Sequence, residues 1–273
     1  MNVLEVDHLK IWDGRTGRIL VPDSSFSLRQ GECLAIVGES GSGKSLTCRA
    51  LMRLNQSGIC QSGSIVLNGV NLSQLTEKEM RKVRGRRLCM IMQNGMRAFD
   101  PSRPVGAHLR DTFAEHGYGS RGEMTEKIKQ ALESVSLKDP HAVMNRYPHE
   151  LSGGMLQRVM IALAIVLEPD IIIADEPTTA LDTVTQYEVV EQFVELRNRI
   201  GSSMIFVSHD LGVVKRIADE VLVMKDGEIV ERGETGDIFT GAKHPYTRYL
   251  VSSKLALNNH FLRLMGGGSI AES

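Results

Sequence analysis

Residues 38–45 read Gly-Glu-Ser-Gly-Ser-Gly-Lys-Ser, and this stretch decides the fold. It fits the pattern G-x-x-x-x-G-K-[ST] at every fixed position. The run Cys33–Val37 before it is apolar, which predicts a buried strand, and apolar residues at helical spacing follow from Lys44 to Leu54. The sequence therefore predicts a strand, a glycine-rich loop and a helix in succession.

Each residue type in this loop suits the binding of a nucleoside triphosphate. Glycines allow the backbone to wrap closely, so that its N–H groups and the helix N-terminus surround phosphate oxygens. Lys44 adds a positive charge at the β and γ phosphates, and Ser45 can hold Mg²⁺. A chance glycine-rich turn is the alternative, which the flanking strand and helix disfavour. The candidate nucleotide-binding residues are Gly38, Glu39, Ser40, Gly41, Ser42, Gly43, Lys44 and Ser45.

Two carboxylates, Asp175 and Glu176, follow a second apolar run, Ile-Ile-Ile-Ala at residues 171–174. This run predicts a buried strand, and α/β folds bind ligands at the carboxyl edge of the sheet. We expect Asp175 to hold Mg²⁺ or its water and Glu176 to polarise the attacking water. The alternative is that the pair only caps the following helix.

The charge balance argues against nucleic acid as a partner. The chain has 273 residues, with 32 Lys plus Arg against 33 Asp plus Glu and a formal net charge of −1. Nothing in this balance attracts the whole surface to a polyanion. The basic run at 81–87 is interpreted as a solvated face. We expect no nucleic-acid partner.

The sequence predicts neither export nor a membrane span. Residues 1–12 alternate apolar and polar types, unlike the basic and then apolar layout of a secretory signal. The longest nearly pure apolar run, residues 160–167, is far shorter than the roughly 20 residues that cross a bilayer. The cysteines occur singly, which predicts reduced thiols and no metal bound through Cys33, Cys48, Cys60 and Cys89.

The pattern along most of the chain predicts a parallel α/β core. Short half-buried strands are predicted at 4–12 and 25–28. From Gly153 onward, helices alternate with apolar strands, which is typical of a parallel sheet. The predicted elements there are a helix to residue 167, a strand at 171–174, a helix at 184–200, a strand at 204–207 and a helix from residue 210.

Two additions to this core are predicted. Between about residues 96 and 150, Gly, Pro and charged residues increase around an amphipathic stretch at 124–135, which indicates an inserted helical lobe. Lys-Asp-Gly at 225–227 predicts a β-hairpin. Residues 233–273 follow as a tail, with helical spacing at 254–265.

Three further segments stand in a fixed order with the two phosphate motifs. They are Gln93 after an apolar run, Leu-Ser-Gly-Gly-Met at 151–155, and His209 in Val-Ser-His-Asp. With them, the chain resembles the ATPase subunits of ABC transporters over nearly its whole length. The multi-motif order makes this resemblance specific.

The resemblance implies a fold and a division of the chain. The fold is an α/β P-loop NTPase (RecA-like) core with an N-terminal antiparallel β-subdomain and an inserted α-helical subdomain. The implied parts are a nucleotide-binding core at 1–95 and 156–232, a helical subdomain at 96–155 that ends in the signature, and a C-terminal importer-type extension at 233–273.

The resemblance also implies a site shared between two subunits. In the family, the Leu-Ser-Gly-Gly signature completes the nucleotide site of the opposite subunit, so Ser152, Gly153 and Gly154 act in trans, as does Asp182. Trp12 is the candidate for stacking on adenine, with a buried Trp in a core strand as the alternative. The implied catalytic residues are Lys44, Glu176 and His209, and the implied ligands of the Mg²⁺ of MgATP are Ser45, Gln93 and Asp175.

The partners implied by the family are a paralogous ATP-binding subunit in a heterodimer, two transmembrane permease subunits and an extracytoplasmic substrate-binding protein. The implied location is the cytoplasmic face of the cell membrane, as a peripheral subunit. The implied cofactors are ATP and Mg²⁺. Two ATP molecules would then lie between this chain and its partner subunit.

Several segments indicate a branch of the family. Residues 174–182 and 244–250 resemble the oligopeptide, dipeptide and nickel importers. Residues 91–94, 98–101 and 151–158 look closer still to the nickel and metallophore importers. The expected cargo is nickel or another transition metal as a chelate. A peptide importer subunit is the alternative, and an ABC ATPase acting on nucleic acid or ribosomes is a more distant one.

Departures from the family pattern qualify this assignment. Many peptide-importing relatives carry a cysteine cluster in the tail, whereas no cysteine follows Cys89 here, so we expect no iron–sulfur cluster. Asn94-Gly95 stands where many relatives have Asp-Pro, which bears on membrane coupling. Met155 replaces the commoner Gln, as in the peptide and nickel group.

Overall fold

The computed structural model describes residues 1–93, 95–117, 121–179 and 181–253. Its strands form two sheets that meet across a shared core. In chain order the strands are β1 (Asn2–Asp13), β2 (Ile19–Arg29), β3 (Cys33–Val37), β4 (Ile59–Leu67), β5 (Val70–Asn71), β6 (Leu88–Ile91), β7 (Ile171–Asp175), β8 (Ser203–Val207), β9 (Glu220–Lys225) and β10 (Glu228–Glu234).

The helices cover both faces of the larger sheet. They are α1 (Lys44–Leu51), α2 (Glu77–Val83), α3 (Val105–Glu115), α4 (Arg121–Ser134), α5 (Pro140–Asn145), α6 (Gly153–Leu167), α7 (Thr183–Ile200), α8 (Leu211–Ile217) and α9 (Thr235–Gly241). Residues 245–253 are also helical and are called the tail helix below.

The larger sheet has the order β10-β9-β3-β8-β7-β6. Its neighbouring strands are parallel, except for the antiparallel hairpin of β9 and β10. Strand β8 lies between β3 and β7, with Val207 paired to Ile36 on one side and to Asp175 on the other. The carboxyl ends of β3, β6, β7 and β8 therefore emerge at one edge of the sheet.

The second sheet is antiparallel, in the order β2-β1-β4-β5. Strand β1 alternates buried and exposed residues, but the alternation breaks at Asp7 and His8, which are both exposed. His8 has a φ of +49°, and the register shifts between Val6 and Leu9. This β-bulge keeps the apolar side chains on both sides of it directed to the core.

Strand β3 joins the separate parts of the core because its side chains alternate between two faces. Leu34 and Ile36 pack with the antiparallel sheet and α1. Ala35 and Val37 pack with α8, α9 and the tail helix. Cys33 packs with the cluster of α6 and α7. All five side chains are buried, so the strand that leads into the phosphate loop is held on every side.

The segment between β6 and α6 is helical. Helices α3, α4 and α5 pack around α6 through a shared apolar cluster. In α4 and the turn after it, Ile128, Leu132 and Val135 are at most 2 % exposed, as the predicted amphipathic pattern requires. An inserted helical lobe is thus present.

Some predicted boundaries differ from the observed ones. Helix α1 ends at Leu51 rather than Leu54, because the chain turns at Arg53, which has a φ of +51°. Strand β10 continues to Glu234, and α9 follows it inside the predicted tail. The helical spacing at 254–265 lies outside the described residues. Among those that are described, no helix combines the length and apolar character that crossing a bilayer requires.

Helix α7 offers a direct test of the packing. Phe193 is fully buried, and its ring meets Phe206 edge-to-face at 5.4 Å between centroids. Phe193→Ala should lower the free energy of unfolding by about 3–5 kcal/mol, because a large buried side chain leaves a cavity. Val184→Ala on the same helix, where Val184 is 70 % exposed, should change it by less than about 0.5 kcal/mol. Urea denaturation measures both, and equal losses would contradict the packing described.

Candidate functional site

The phosphate loop fits closely against the β9–β10 hairpin at Gly38 and Gly43. Gly38 has a φ of +151°, and a Cβ built on it would overlap the carbonyl oxygen of Met224. Gly43, at the N-terminal cap of α1, has a φ of +99°. The N–H of Gly227 in the hairpin turn donates to the carbonyl oxygen of Ser42 at 3.1 Å. The loop is therefore shaped by the sheet beneath it.

Lys44 is buried at the centre of this loop, with 4 % exposure. Its Nζ donates to the carbonyl oxygens of Gly38 at 2.9 Å and of Glu39 at 2.8 Å. Burial lowers the pKa of Lys44, and the nearby Glu176 and Asp175 oppose this effect. A buried cation that is held by backbone carbonyls is suited to receive phosphate oxygens.

Ser45 and Asp175 meet at the start of α1 and the end of β7. The Ser45 hydroxyl donates to Oδ1 of Asp175 at 2.6 Å. Asp175 is 3 % exposed, and burial raises its pKa, although the Ser45 hydrogen bond, Arg49 and Lys44 oppose the rise. A hydroxyl and a carboxylate at this separation are hard oxygen donors, which are the ligands that Mg²⁺ prefers. These two residues fit a magnesium ion.

Three further polar side chains contact one carboxylate oxygen of Glu176. Its Oε2 accepts a hydrogen bond from Thr179 Oγ1 at 3.0 Å and lies 3.4 Å from both Gln93 Nε2 and His209 Nδ1. The Glu176 N–H donates to the carbonyl oxygen of Val207 at 3.0 Å. The backbone of Glu176 has a φ of +48°, a strained value for a residue other than glycine. Three strand ends thus supply one polar cluster.

Lys44, Glu176 and His209 line one cavity of about 570 Å³, whereas Gln93 and Thr179 line a separate one. Among the described residues, neither the signature residues nor Asp182 nor Trp12 lines the cavity around Lys44. The residues around it are Val37, Gly38, Glu39, Ser40, Lys44, Glu176, His209, Leu211, Tyr249, Leu250 and Ser253.

The residues predicted to act in trans lie at the start of two neighbouring helices. The Ser152 hydroxyl caps α6 by accepting the N–H of Met155 at 3.2 Å. Asp182 caps α7 by accepting the N–H groups of Val184 and Thr185. A Cβ on Gly154 would overlap the side chain of Thr185, so this glycine also allows α6 and α7 to approach. Ser152, Gly153 and Asp182 are exposed, and Ala180 lies outside the described residues.

Trp12 stands at the end of β1, half-buried, where it pairs with Ile19 and Cys60 across the antiparallel sheet. It does not line the cavity around Lys44. The adenine-stacking role of Trp12 stays a prediction.

Two polar contacts near the site were not predicted from the sequence. Thr179 reaches Glu176 from the turn after β7. Gln157 on α6 is 2 % exposed, and its amide nitrogen donates to the carbonyl oxygens of Met92 at 3.1 Å and Pro177 at 2.6 Å. It thereby ties the signature helix to the segments that carry Gln93 and Glu176. The available signal was a glutamine at a core position of a mostly apolar helix.

The buried carboxylate at Asp175 predicts a stability effect. The pKa of Asp175 is raised in the folded chain, so ionisation of this carboxyl costs more free energy in the folded chain than in the unfolded one. The free energy of unfolding therefore falls as the pH rises from the unfolded pKa through the folded pKa. Asp175→Asn keeps an acceptor for Ser45, so it should raise the free energy of unfolding without ligand by about 0.5–2 kcal/mol at pH 7. This gain should disappear in acid.

Denaturant titrations at several pH values measure this effect. Asp182 provides a control, because its ionisation changes the free energy of unfolding in the opposite direction. Hydrogen bonds from Thr185 lower the pKa of Asp182, so this carboxylate stabilises the fold when ionised, and Asp182→Ala should destabilise the chain. Loss of stability in Asp175→Asn at pH 7 would contradict the account of the buried charge.

Comparison with known proteins agrees with this geometry. The ABC transporter family model matches residues 21–179. The Metal-staphylopine import system ATP-binding protein CntD of Staphylococcus aureus is 46% identical over 267 residues, which cover 98% of each chain. The Dipeptide transport ATP-binding protein DppD of Lactococcus lactis is 40% identical over 96% of this chain and 76% of its own. The Oligopeptide transport ATP-binding protein OppD of the same species is 41% identical over 92% of this chain and 75% of its own.

Solved structures share the fold. The ATP-binding cassette MJ0796, in a dimeric post-hydrolysis state bound to ADP and Pi, superposes with a TM-score of 0.75 over 85% of this chain and 98% of its own, at 24% identity. The chain thus has a strand, a glycine loop and a helix, with carboxylates at the same edge of the sheet. It also matches the family model over more than half its length. The chain belongs to the ABC transporter family and is an ATP-binding subunit whose ATP hydrolysis is coupled to transport.

Proposed function

We propose that this chain is the ATP-hydrolysing subunit of an importer for nickel or a related transition metal, carried as a chelate. The observation that supports this cargo is the 46% identity to the metal-staphylopine import protein, which extends over 98% of both chains. The peptide-transport relatives are 40–44% identical, and this chain covers 66–76% of their length. The identities are close, so the agreement in length is the observation that favours the metal importer.

The phosphate loop is proposed to hold the triphosphate of ATP. Lys44 lies where it can exchange the carbonyls of Gly38 and Glu39 for β- and γ-phosphate oxygens. Ser45 and Asp175 are proposed to hold Mg²⁺ together with Gln93, whose amide lies 3.4 Å from Glu176 Oε2. When bound, this ion offsets the charge of the β and γ phosphates.

Glu176 is proposed to orient and polarise the water that attacks the γ-phosphate in line. Its position at the end of β7 is fixed by the backbone bond to Val207, and its carboxylate is oriented by Thr179, Gln93 and His209. His209, which is half exposed, can contact the γ-phosphate from the same cluster. Lys44 and the donors of the site stabilise charge on the transferred phosphoryl group.

A second subunit is proposed to complete the site. Ser152, Gly153, Gly154 and Asp182 do not line the cavity around Lys44, and all but Gly154 are exposed, so they would serve a nucleotide held by another subunit. We infer that the partner is a paralogous ATP-binding subunit. The pair would then drive two membrane permease subunits from the cytoplasmic face, supplied by an extracytoplasmic binding protein.

Replacement of the proposed catalytic carboxylate tests the mechanism. Glu176→Gln should keep ATP binding and lower the rate of ATP hydrolysis by at least about 100-fold, because the water loses its polarising group. The rate is measured as phosphate release by the chain purified with its partner subunits.

Glu168 provides a matched control for this variant. It is also followed by proline and has a φ of +46°, but it is exposed at the end of α6. Glu168→Gln should hydrolyse ATP at the wild-type rate. Undiminished hydrolysis by Glu176→Gln would overturn the assignment.

A peptide importer is the second candidate, since peptide-transport relatives are 40–44% identical. Uptake in the source strain separates the two. Deletion of the gene should abolish uptake of chelated radioactive nickel and leave dipeptide uptake unchanged. The wild-type gene should restore nickel uptake, whereas Lys44→Ala should not. Loss of dipeptide uptake alone would favour the peptide importer.

A nucleic-acid function is the distant alternative, and the near-neutral charge of the chain does not favour it. Purification distinguishes a transport function from a nucleic-acid function. Co-purification with membrane permease subunits supports transport, whereas nucleic-acid binding that weakens steeply with salt supports the alternative.

A further inference from the structure

The tail helix, residues 245–253, packs directly on the strand that carries the phosphate loop. Tyr246, Leu250 and Val251 are buried in one cluster with Ala35 and Val37 of β3. Val37 is the residue immediately before Gly38 of the loop. The tail helix has no role in the proposed mechanism, yet it contacts β3, the strand that leads into the phosphate loop.

The start of the tail helix is fixed by strand β10. The Glu231 carboxylate accepts the N–H groups of Lys243 at 2.6 Å and His244 at 3.1 Å. The His244 ring then accepts the N–H of Tyr246 through Nδ1 at 3.2 Å. These bonds satisfy N–H groups that a helix start leaves unpaired, and they set the direction in which the helix leaves the sheet. Tyr246 therefore has a defined position.

From this position Tyr246 reaches the phosphate loop itself. Its hydroxyl accepts a hydrogen bond from the backbone N–H of Glu39 at 3.0 Å, and its ring lies 5.3 Å from the Lys225 ammonium, measured to the ring centroid. Tyr246 is 9 % exposed, so water competes little for this bond.

The peptide group that joins Gly38 to Glu39 contacts Tyr246 through its N–H and Lys44 through its carbonyl oxygen. The N–H of Glu39 and the carbonyl of Gly38 belong to one peptide unit, and that carbonyl accepts from Lys44 Nζ at 2.9 Å. One peptide plane therefore bridges Tyr246 and Lys44. Hydrogen bonds in such a chain polarise each other, so the Tyr246 hydroxyl and the Lys44 ammonium are linked through one peptide group.

The tail helix also forms part of the cavity wall. Tyr249, Leu250 and Ser253 line the cavity together with Lys44 and His209. A nucleotide in this cavity would lie against the helix.

We propose that Tyr246 is a positioning residue for the phosphate loop, and that nucleotide binding and docking of the tail helix are coupled through it. The tail helix is then part of the nucleotide site. This inference rests on the phosphate loop as the nucleotide site and does not depend on the cargo.

The first test removes only the hydroxyl. Tyr246→Phe keeps the packing of the ring and leaves the Glu39 N–H unpaired. MgADP affinity of the full chain, measured by calorimetry, should fall about 3- to 10-fold, as expected for one hydrogen bond. Tyr187→Phe removes a hydroxyl from a residue of α7 that is 62 % exposed, and its affinity should equal that of the wild type.

The second test uses reciprocity, because coupled sites must each stabilise the other. Hydrogen exchange of residues 245–253 should slow in the wild-type chain when MgADP is saturating. In Tyr246→Phe, saturating MgADP should leave this exchange nearly unchanged while still protecting the phosphate loop. A helix that only packs beside the nucleotide would show the same response to MgADP in Tyr246→Phe as in the wild type.

The outcomes separate this inference from the nucleotide site on which it rests. Two results would overturn the coupling and leave the catalytic proposal intact. One is an equal MgADP affinity of Tyr246→Phe and the wild type. The other is hydrogen exchange at residues 245–253 of the wild type that does not change when MgADP is added. A wild-type chain that shows no MgADP binding would overturn both.

Discussion

The pairing of β8 between β3 and β7 is the constraint on which the site depends. Val207 is in register with Ile36 on one side and Asp175 on the other, so three parallel strands end at one level. The loop after β3 brings Lys44, the turn after β7 brings Glu176, and the turn after β8 brings His209 to a single cavity. A shift of one residue in either pairing would turn these side chains away from one another, because alternate residues face opposite sides of a sheet.

The site holds features that a stable fold alone would avoid. Lys44 and Asp175 are charged side chains at 4 % and 3 % exposure, and Glu176 has a strained backbone. The surrounding strands supply the compensating stability, since residues 171–174 and 33–37 are buried in apolar clusters on both faces. Such strain and buried charge are typical of functional sites, because a ligand that completes the charges can only bind where they are left incomplete.

Sequence patterns predicted the elements whose periodicity is strong and local. The strand, loop and helix around Gly38, the helix of Phe193 and the hairpin at Asp226 were all predicted, because each depends on neighbouring residues. Strand β4 was missed because Ser62, Gly63 and Ser64, none of which is buried, interrupt its apolar residues. The contacts of Gln157 and Tyr246 could not be predicted, since they join segments 65 and 207 residues apart. The tertiary fold alone brings those segments together.

We propose that one nucleotide site is built from this sheet edge and completed by the signature of another subunit. The structure of the Glu176→Gln chain with its partner subunit and MgATP would test this directly. We expect the γ-phosphate between Lys44 and residue 176, with Ser152 of this chain at the nucleotide held by the partner. A nucleotide bound elsewhere, or one enclosed by this chain without a signature from the other subunit, would contradict it.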